Sequence, residues 1–137
     1  MHYRVWFAGT LLLAACGQSL ADQTSIRTSA SPDQTFECVR KQLDALGYKR
    51  TSYDTDARRI NAAKIDTKTR RSDTQFRRML DKLEVEVSPQ ADGQTSMQVA
   101  GRTFAEYTTQ RGPTETEEKA SQEVRSASQQ LVERCRS

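Results

Sequence analysis

Between Leu83 and Val87 the chain alternates without a break: Leu83, Val85 and Val87 are apolar, and Glu84 and Glu86 between them are charged. Side chains of a strand point to opposite faces in turn. The segment therefore sets an apolar row on one face of a sheet and two carboxylates on the other, about 7 Å apart. Such a strand calls for an antiparallel sheet with one wet face, and for something amphipathic to cover the other.

Two segments have the required amphipathic pattern. Ser31-Pro32-Asp33-Gln34 is a strong helix start. Ser31 can cap, Pro32 suits the first helical position, Asp33 meets the positive end of the dipole and Gln34 completes a capping box. Phe36, Val39, Leu43 and Leu46 then recur on one helical face, with Cys38 at its edge, and Gly47 takes the usual place just past the end. Near the other end, Gly112-Pro113 interrupts the chain and Thr114 offers a second cap, followed by Glu115, Glu117 and Glu118. Ala120, Val124, Ala127, Leu131 and Cys135 form the apolar stripe of that helix, and Arg134 and Arg136 sit at its negative end.

The stretch between these helices reads as four strands. Tyr48–Tyr53 and Arg58–Ile65 flank a turn at Asp54–Ala57. Within the second strand, Ile60 and Ala62 point one way and Ala63 and Ile65 the other, which predicts a slip or bulge. Asp66–Arg78 reads as a connection, Leu83–Val87 as the third strand and Pro89–Thr95, with Asp92-Gly93, as a turn. Ser96–Thr108 is the fourth strand. Met97, Val99 and Gly101 share a face and Phe104 falls on the other, which predicts a bend near Gly101. The expected fold class is α+β: a four-stranded antiparallel sheet with an N-terminal and a C-terminal helix on one face.

The first 15 residues differ from the rest. Arg4 is followed by an apolar run from Val5 to Leu13, too short to span a membrane but the right length for a secretory signal. The run ends Leu13-Ala14-Ala15-Cys16-Gly17. This resembles the lipobox of bacterial lipoproteins: Leu at −3, small residues at −2 and −1, then cysteine. The resemblance implies diacylglycerol on the Cys16 sulfur, cleavage before Cys16 by signal peptidase II and acylation of the new amine. It also implies the outer membrane as the destination, because Gly17 replaces the Asp that retains enteric lipoproteins in the inner membrane. The expected organisation is a signal peptide over 1–15, a flexible lipidated tether over 16–30, rich in Ser, Thr, Gln and Ala, and one domain over 31–137. The order helix, strands, helix, in a small lipoprotein, looks like the helix-grip domains of the outer-membrane assembly lipoprotein BamC.

Of the three cysteines, the lipobox accounts for one. An exported chain meets an oxidising compartment, so Cys38 and Cys135 are expected to pair, with two buried free thiols as the alternative.

Composition removes most enzyme classes. The only His and the only Trp, His2 and Trp6, lie in the leader, so the domain has no imidazole for a triad, a metal site or acid–base work. Two cysteines are too few for a structural zinc site, and no glycine-rich phosphate loop occurs. No catalytic residue, metal or other cofactor is expected. Charge is nearly balanced, with 21 Lys and Arg against 18 Asp and Glu, which does not point to nucleic acid.

One local excess stands out. Lys64, Lys68, Arg70, Arg71, Arg77, Arg78 and Lys82 face only Asp66, Asp73 and Asp81. No period runs through the segment, so its cations are expected to point into water. Arg70, Arg71, Arg77 and Arg78 are the candidate contact surface for an acidic partner or an anionic headgroup. Together these features suggest a non-enzymatic envelope lipoprotein, an accessory or assembly factor facing the periplasm. The alternative is a periplasmic binding module or inhibitor that holds an anionic ligand or a target enzyme.

Overall fold

The computed structural model describes residues 17–137; Cys16 and the leader lie outside the described residues. The fold is α+β, with an antiparallel sheet and two helices. In chain order the elements are β1 (Asp22–Thr28), α1 (Pro32–Ala45), β2 (Lys49–Asp54), β3 (Arg59–Asp66), β4 (Phe76–Pro89), β5 (Thr95–Thr109), β6 (Gly112–Glu118) and α2 (Gln122–Arg134). The sheet runs β1-β5-β4-β3-β2, and β6 also pairs with β5. β5 is therefore shared along one edge. Its first half, Thr95 to Gly101, pairs with β1, and its second half, Thr103 to Thr109, with β6.

The sheet has six strands rather than four, and both additional strands lie on that edge. The tether expected through Ala30 is corrected over Asp22–Thr28, which is β1. Its side chains are mostly polar, and it is held by a backbone ladder with Thr24 opposite Val99 and Ile26 opposite Met97. The helix expected from Thr114 is corrected as well. Thr114 to Glu118 continue β6, and α2 begins only after Ser121, whose Oγ accepts the Val124 N–H at 3.0 Å. Part of the expected connection, from Phe76 onward, belongs to β4.

The start of α1 matches its sequence signal. Ser31 Oγ accepts from the Gln34 N–H and Gln34 Oε1 accepts from the Ser31 N–H, each at 3.2 Å. Gly47, with φ of +82°, turns the chain in the left-handed region directly into β2.

One apolar cluster joins Phe36, Val39 and Leu43 of α1, Val124, Ala127, Leu131 and Val132 of α2, and Ile60, Ala62, Leu83, Val85, Val87, Met97 and Val99 of the strands. The sheet members share one parity. Val85 is opposite both Ile60 and Val99, and Leu83 is opposite Ala62 and Gly101. The β4–β5 pairing is continuous across Gly101, while the other edge of β5 passes from β1 to β6 there. The glycine is needed for a close approach, since a Cβ there would lie 2.8 Å from Ser128 Oγ and 3.2 Å from a Val124 methyl carbon. The bulge expected in β3 is absent, its pairing with β4 being continuous from Arg59 to Asp66. The shift falls in β2, between Arg50 and Ser52. Cys38 and Cys135 form a disulfide that joins α1 to the end of α2 across 97 residues of sequence.

Candidate functional site

Three regions carry enough polar chemistry to be weighed. The first is the basic segment. Its cations are largely exposed, as expected, but most of them are paired with carboxylates. Both Arg71 Nη atoms donate to Glu118 on β6 at 2.6 Å, and Nη1 also donates to the Tyr107 hydroxyl at 2.9 Å. The Arg71 guanidinium stands 5.3 Å from the Phe76 ring centroid, and Phe76 meets Tyr107 edge to face at 5.9 Å. A bidentate pair with a stacked guanidinium is a built contact that clamps the 67–75 loop to β6. Its hydrogen bonds hold the Glu118 carboxyl below the usual range for its type and raise Arg71.

Arg77 and Arg78 converge on Glu106 of β5, a carboxylate whose side chain is only 8% exposed. Arg78 Nη2 donates to its Oε2 at 3.3 Å; the Arg78 Nε contact, at 3.2 Å, lacks hydrogen-bond alignment. Of the four arginines expected to be open to an acidic partner, Arg71, Arg77 and Arg78 therefore already have carboxylate partners within the domain. Arg71 sits on a carboxylate of β6, and Arg77 and Arg78 share one of β5. Arg70 alone of the four has no carboxylate partner among the described residues; it donates to the Thr67 and Thr69 carbonyls.

The second region is the sheet face away from the apolar cluster. A shallow depression of about 730 Å³ runs across it, lined by Gln23 and Ser25 of β1, Gln98 of β5, Glu84 and Glu86 of β4, and Arg59 and Asn61 of β3. Charges on this face pair across the strands: Arg59 with Glu86 at 3.0 Å, Arg102 with Glu117 at 3.0 Å and with Glu84 at 3.8 Å, and Lys82 with Glu115. Lys82 Nζ also lies 4.5 Å over the Phe104 ring. These pairs are partly exposed, and each contributes little to stability.

The third region is buried. Asp81 is 4% exposed and lies on the parity of Leu83 and Val85. Its carboxylate accepts from Thr103 Oγ1 at 2.6 Å and from Ser121 Oγ at 2.9–3.0 Å. Thr103 Oγ1 in turn accepts the Ser121 N–H at 2.9 Å. A negative group is thus fixed beneath the N-terminus of α2, where the helix dipole favours it. Burial pushes the Asp81 carboxyl above the usual carboxylate range, against the two hydroxyl hydrogen bonds. Burial likewise raises the Tyr48 phenol, whose oxygen has no partner among the described residues. Lys64, opposite Asp81 in the ladder, turns to Glu123 at 3.1 Å and to the Leu46 carbonyl at 3.3 Å.

Counting charges in a window makes Asp81 only a counter-charge to the basic segment. Its parity with Leu83, Val85 and Val87 is the signal that places it inside. Asp81 lines neither the sheet-face depression nor the cleft beside β2, and its oxygens are occupied in holding the α2 cap. Among the described residues no three His, Cys, Asp or Glu side chains are grouped to hold a metal. No described helix is long and apolar enough to cross a membrane. The chain matches no known protein family, and no curated protein matches it.

Proposed function

We propose that this chain is a membrane-anchored envelope lipoprotein, fixed through Cys16 to the outer membrane and facing the periplasm. On this reading its domain is a non-enzymatic accessory or assembly factor. The observation that carries the non-enzymatic part is the use of Asp81. This buried carboxyl, raised by burial above the usual carboxylate range, is enclosed, hydroxyl-bonded and committed to the start of α2. The carboxylates that line the sheet-face depression are set against arginines.

Both helices on one sheet face, in the helix-grip manner, is the arrangement we infer with it. It is supported by the single apolar cluster and by the contact of Gly101 with α2. Because β1 begins at Asp22, only residues 17–21 separate it from Cys16. Fully extended, five residues reach about 18 Å, so an anchored domain is held against the headgroup layer. Of the four candidate arginines, Arg70 remains the residue free to meet an acidic partner or headgroup there.

Palmitate labelling tests the anchor. Cys16→Ser should leave the chain unlabelled and uncut; normal labelling of that variant overturns it. Pull-down from detergent-solubilised envelope tests the role. A stoichiometric envelope complex supports an assembly factor, and a single soluble target supports the binding-module alternative, for which the Gln, Ser and Asn side chains of the sheet face would be the binding surface.

A further inference from the structure

Among the described residues β1, β2 and β6 each pair on one side only, and β2 is the one of the three whose residues are all exposed. An exposed edge presents unpaired N–H and C=O groups and is a template for another strand. The sequence of this edge, Lys49-Arg50-Thr51-Ser52-Tyr53-Asp54, is complementary to itself when reversed. Laid antiparallel against a second copy about a two-fold axis, Lys49 stands opposite Asp54, Arg50 opposite Tyr53, and Thr51 opposite Ser52.

Opposed residues of an antiparallel pair must point to the same face. In a regular strand Lys49 and Asp54, an odd number of residues apart, point to opposite faces, and this register is forbidden. The bulge between Arg50 and Ser52 removes the prohibition. Lys49 is opposite Ala63 and Asp54 opposite Arg59, so both lie on the open face of the sheet. Arg50 is opposite Ala62 and Tyr53 opposite Ile60, so both lie on the helix side. There Tyr53 is 53% exposed, the most exposed of the large apolar side chains among the described residues, and the guanidinium groups of Arg50 and Arg40 stand 5.7 and 5.9 Å from its ring centroid. Neither Lys49 nor Arg50 has a carboxylate partner among the described residues, whereas most of the other cations on the sheet do.

We infer that two copies of this chain pair through β2 as a two-fold dimer whose sheet is continuous across the axis. Lys49 of each copy meets Asp54 of the other, and each Arg50 stacks on the other's Tyr53. With the bulge, Arg50 and Tyr53 stand opposite Ala62 and Ile60, two ladder positions apart, so the two Arg50 residues lie about 8 Å apart across the seam, close to the Debye length at physiological salt, which partly screens their repulsion. Cations on an edge usually discourage pairing; here their order along the strand makes them select this one register. An edge of six residues buries less than the area of a stable complex, so the dimer is in equilibrium with monomer and depends on concentration.

Cysteine cross-linking of the purified full-length chain in detergent tests it. Ser52→Cys stands beside the axis and should yield a product of twice the chain mass under mild oxidation, whereas Gln129→Cys, exposed on α2, should not. Adding Lys49→Glu to Ser52→Cys puts like charges opposite Asp54 at two symmetric positions and should cut the yield by roughly tenfold. The Lys49 side chain makes no hydrogen bond or ion pair among the described residues, its backbone pairing with Ala63 is kept in the variant, and circular dichroism checks that the fold persists. Tyr53→Ser added to Ser52→Cys should also lower the yield. Equal yields from Ser52→Cys and Gln129→Cys overturn the dimer, as does a yield that Lys49→Glu leaves unchanged.

Discussion

The two faces of this sheet are built from the same strands and do opposite things. On one, Leu83, Val85, Met97 and Val99 are almost fully buried in the apolar cluster, and Gly101 leaves room for Ser128 and Val124 of α2. On the other, alternate residues of the same strands, Glu84, Glu86, Gln98 and Arg102, form a partly exposed polar surface whose charges are paired. Stability should reside in the first face and interaction in the second and at its edges. Burial removes apolar area from water at about 25 cal/mol per Å², while a paired surface charge is worth a few tenths of a kcal/mol. The division has exceptions: Asp81 and Thr103 stand on the apolar parity, and the apolar Leu80 and Phe104 stand on the charged one.

The sharpest way to break this contrast starts at the disulfide, whose Cys135 belongs to the apolar cluster and whose Cys38 packs against it. Closing a loop of about 100 residues stabilises by roughly 4–5 kcal/mol in the chain-entropy model. Cys135→Ser should therefore lower the melting temperature more than any of the substitutions that follow, and denatured wild-type domain should show no free thiol at Cys38 or Cys135. Next in size, Leu83→Ala should cost about 3 kcal/mol in urea unfolding, from lost burial plus the cavity left behind. A third test concerns fit rather than burial. Gly101→Ala adds a methyl against Ser128 and Val124, and overpacking should cost about 1–3 kcal/mol. Smallest, Glu84→Gln on the open face should change stability by less than about 0.5 kcal/mol. A loss from Glu84→Gln as large as that from Leu83→Ala would erase the distinction between the faces.

Asp81 sharpens the contrast through pH. Its folded-state pKa is raised by burial, so between the unfolded and folded values the folded state holds more protons. Stability from this group is then greatest in acid and falls as pH rises through that window. Glu118 and Asp66, with depressed values, act oppositely and lose their contribution as pH falls. Unfolding of wild type and Asp81→Asn, measured from mildly acidic to neutral pH, should show wild type gaining relative to the variant as pH falls. A constant difference would mean that Asp81 titrates as it does in the unfolded chain.

The sequence exposes those parts of the fold in which side chains determine the structure. The capping box at Ser31 and Gln34, the stop at Gly47 and the alternation at Leu83–Val87 each follow from local side-chain chemistry, and each is found in place. The two edge strands follow from the backbone ladder instead. Asp22–Thr28 offers one large apolar residue, Ile26, and Gly112–Glu118 offers none, so neither shows an apolar period. The glutamates of β6 suggest a helix start when read along the chain, yet they answer Arg71, Lys82 and Arg102 across it. The basic segment misleads for the same reason. Its counter-charges, Glu106 and Glu118, are distant in sequence and adjacent only once β4, β5 and β6 are side by side.

The bond between Cys38 and Cys135 also sets what a mechanical load can do. Tension applied through the N-terminus enters at β1, which unzips from β5, and then reaches α1. It stops at Cys38, because from there the covalent path leads straight to Cys135 and the chain enclosed between them bears no load. A pull from both sides can thus lengthen, among the described residues, only the segment before Cys38 and the residues after Cys135. The β2–β6 body remains slack and folded on the far side of a two-sulfur shortcut.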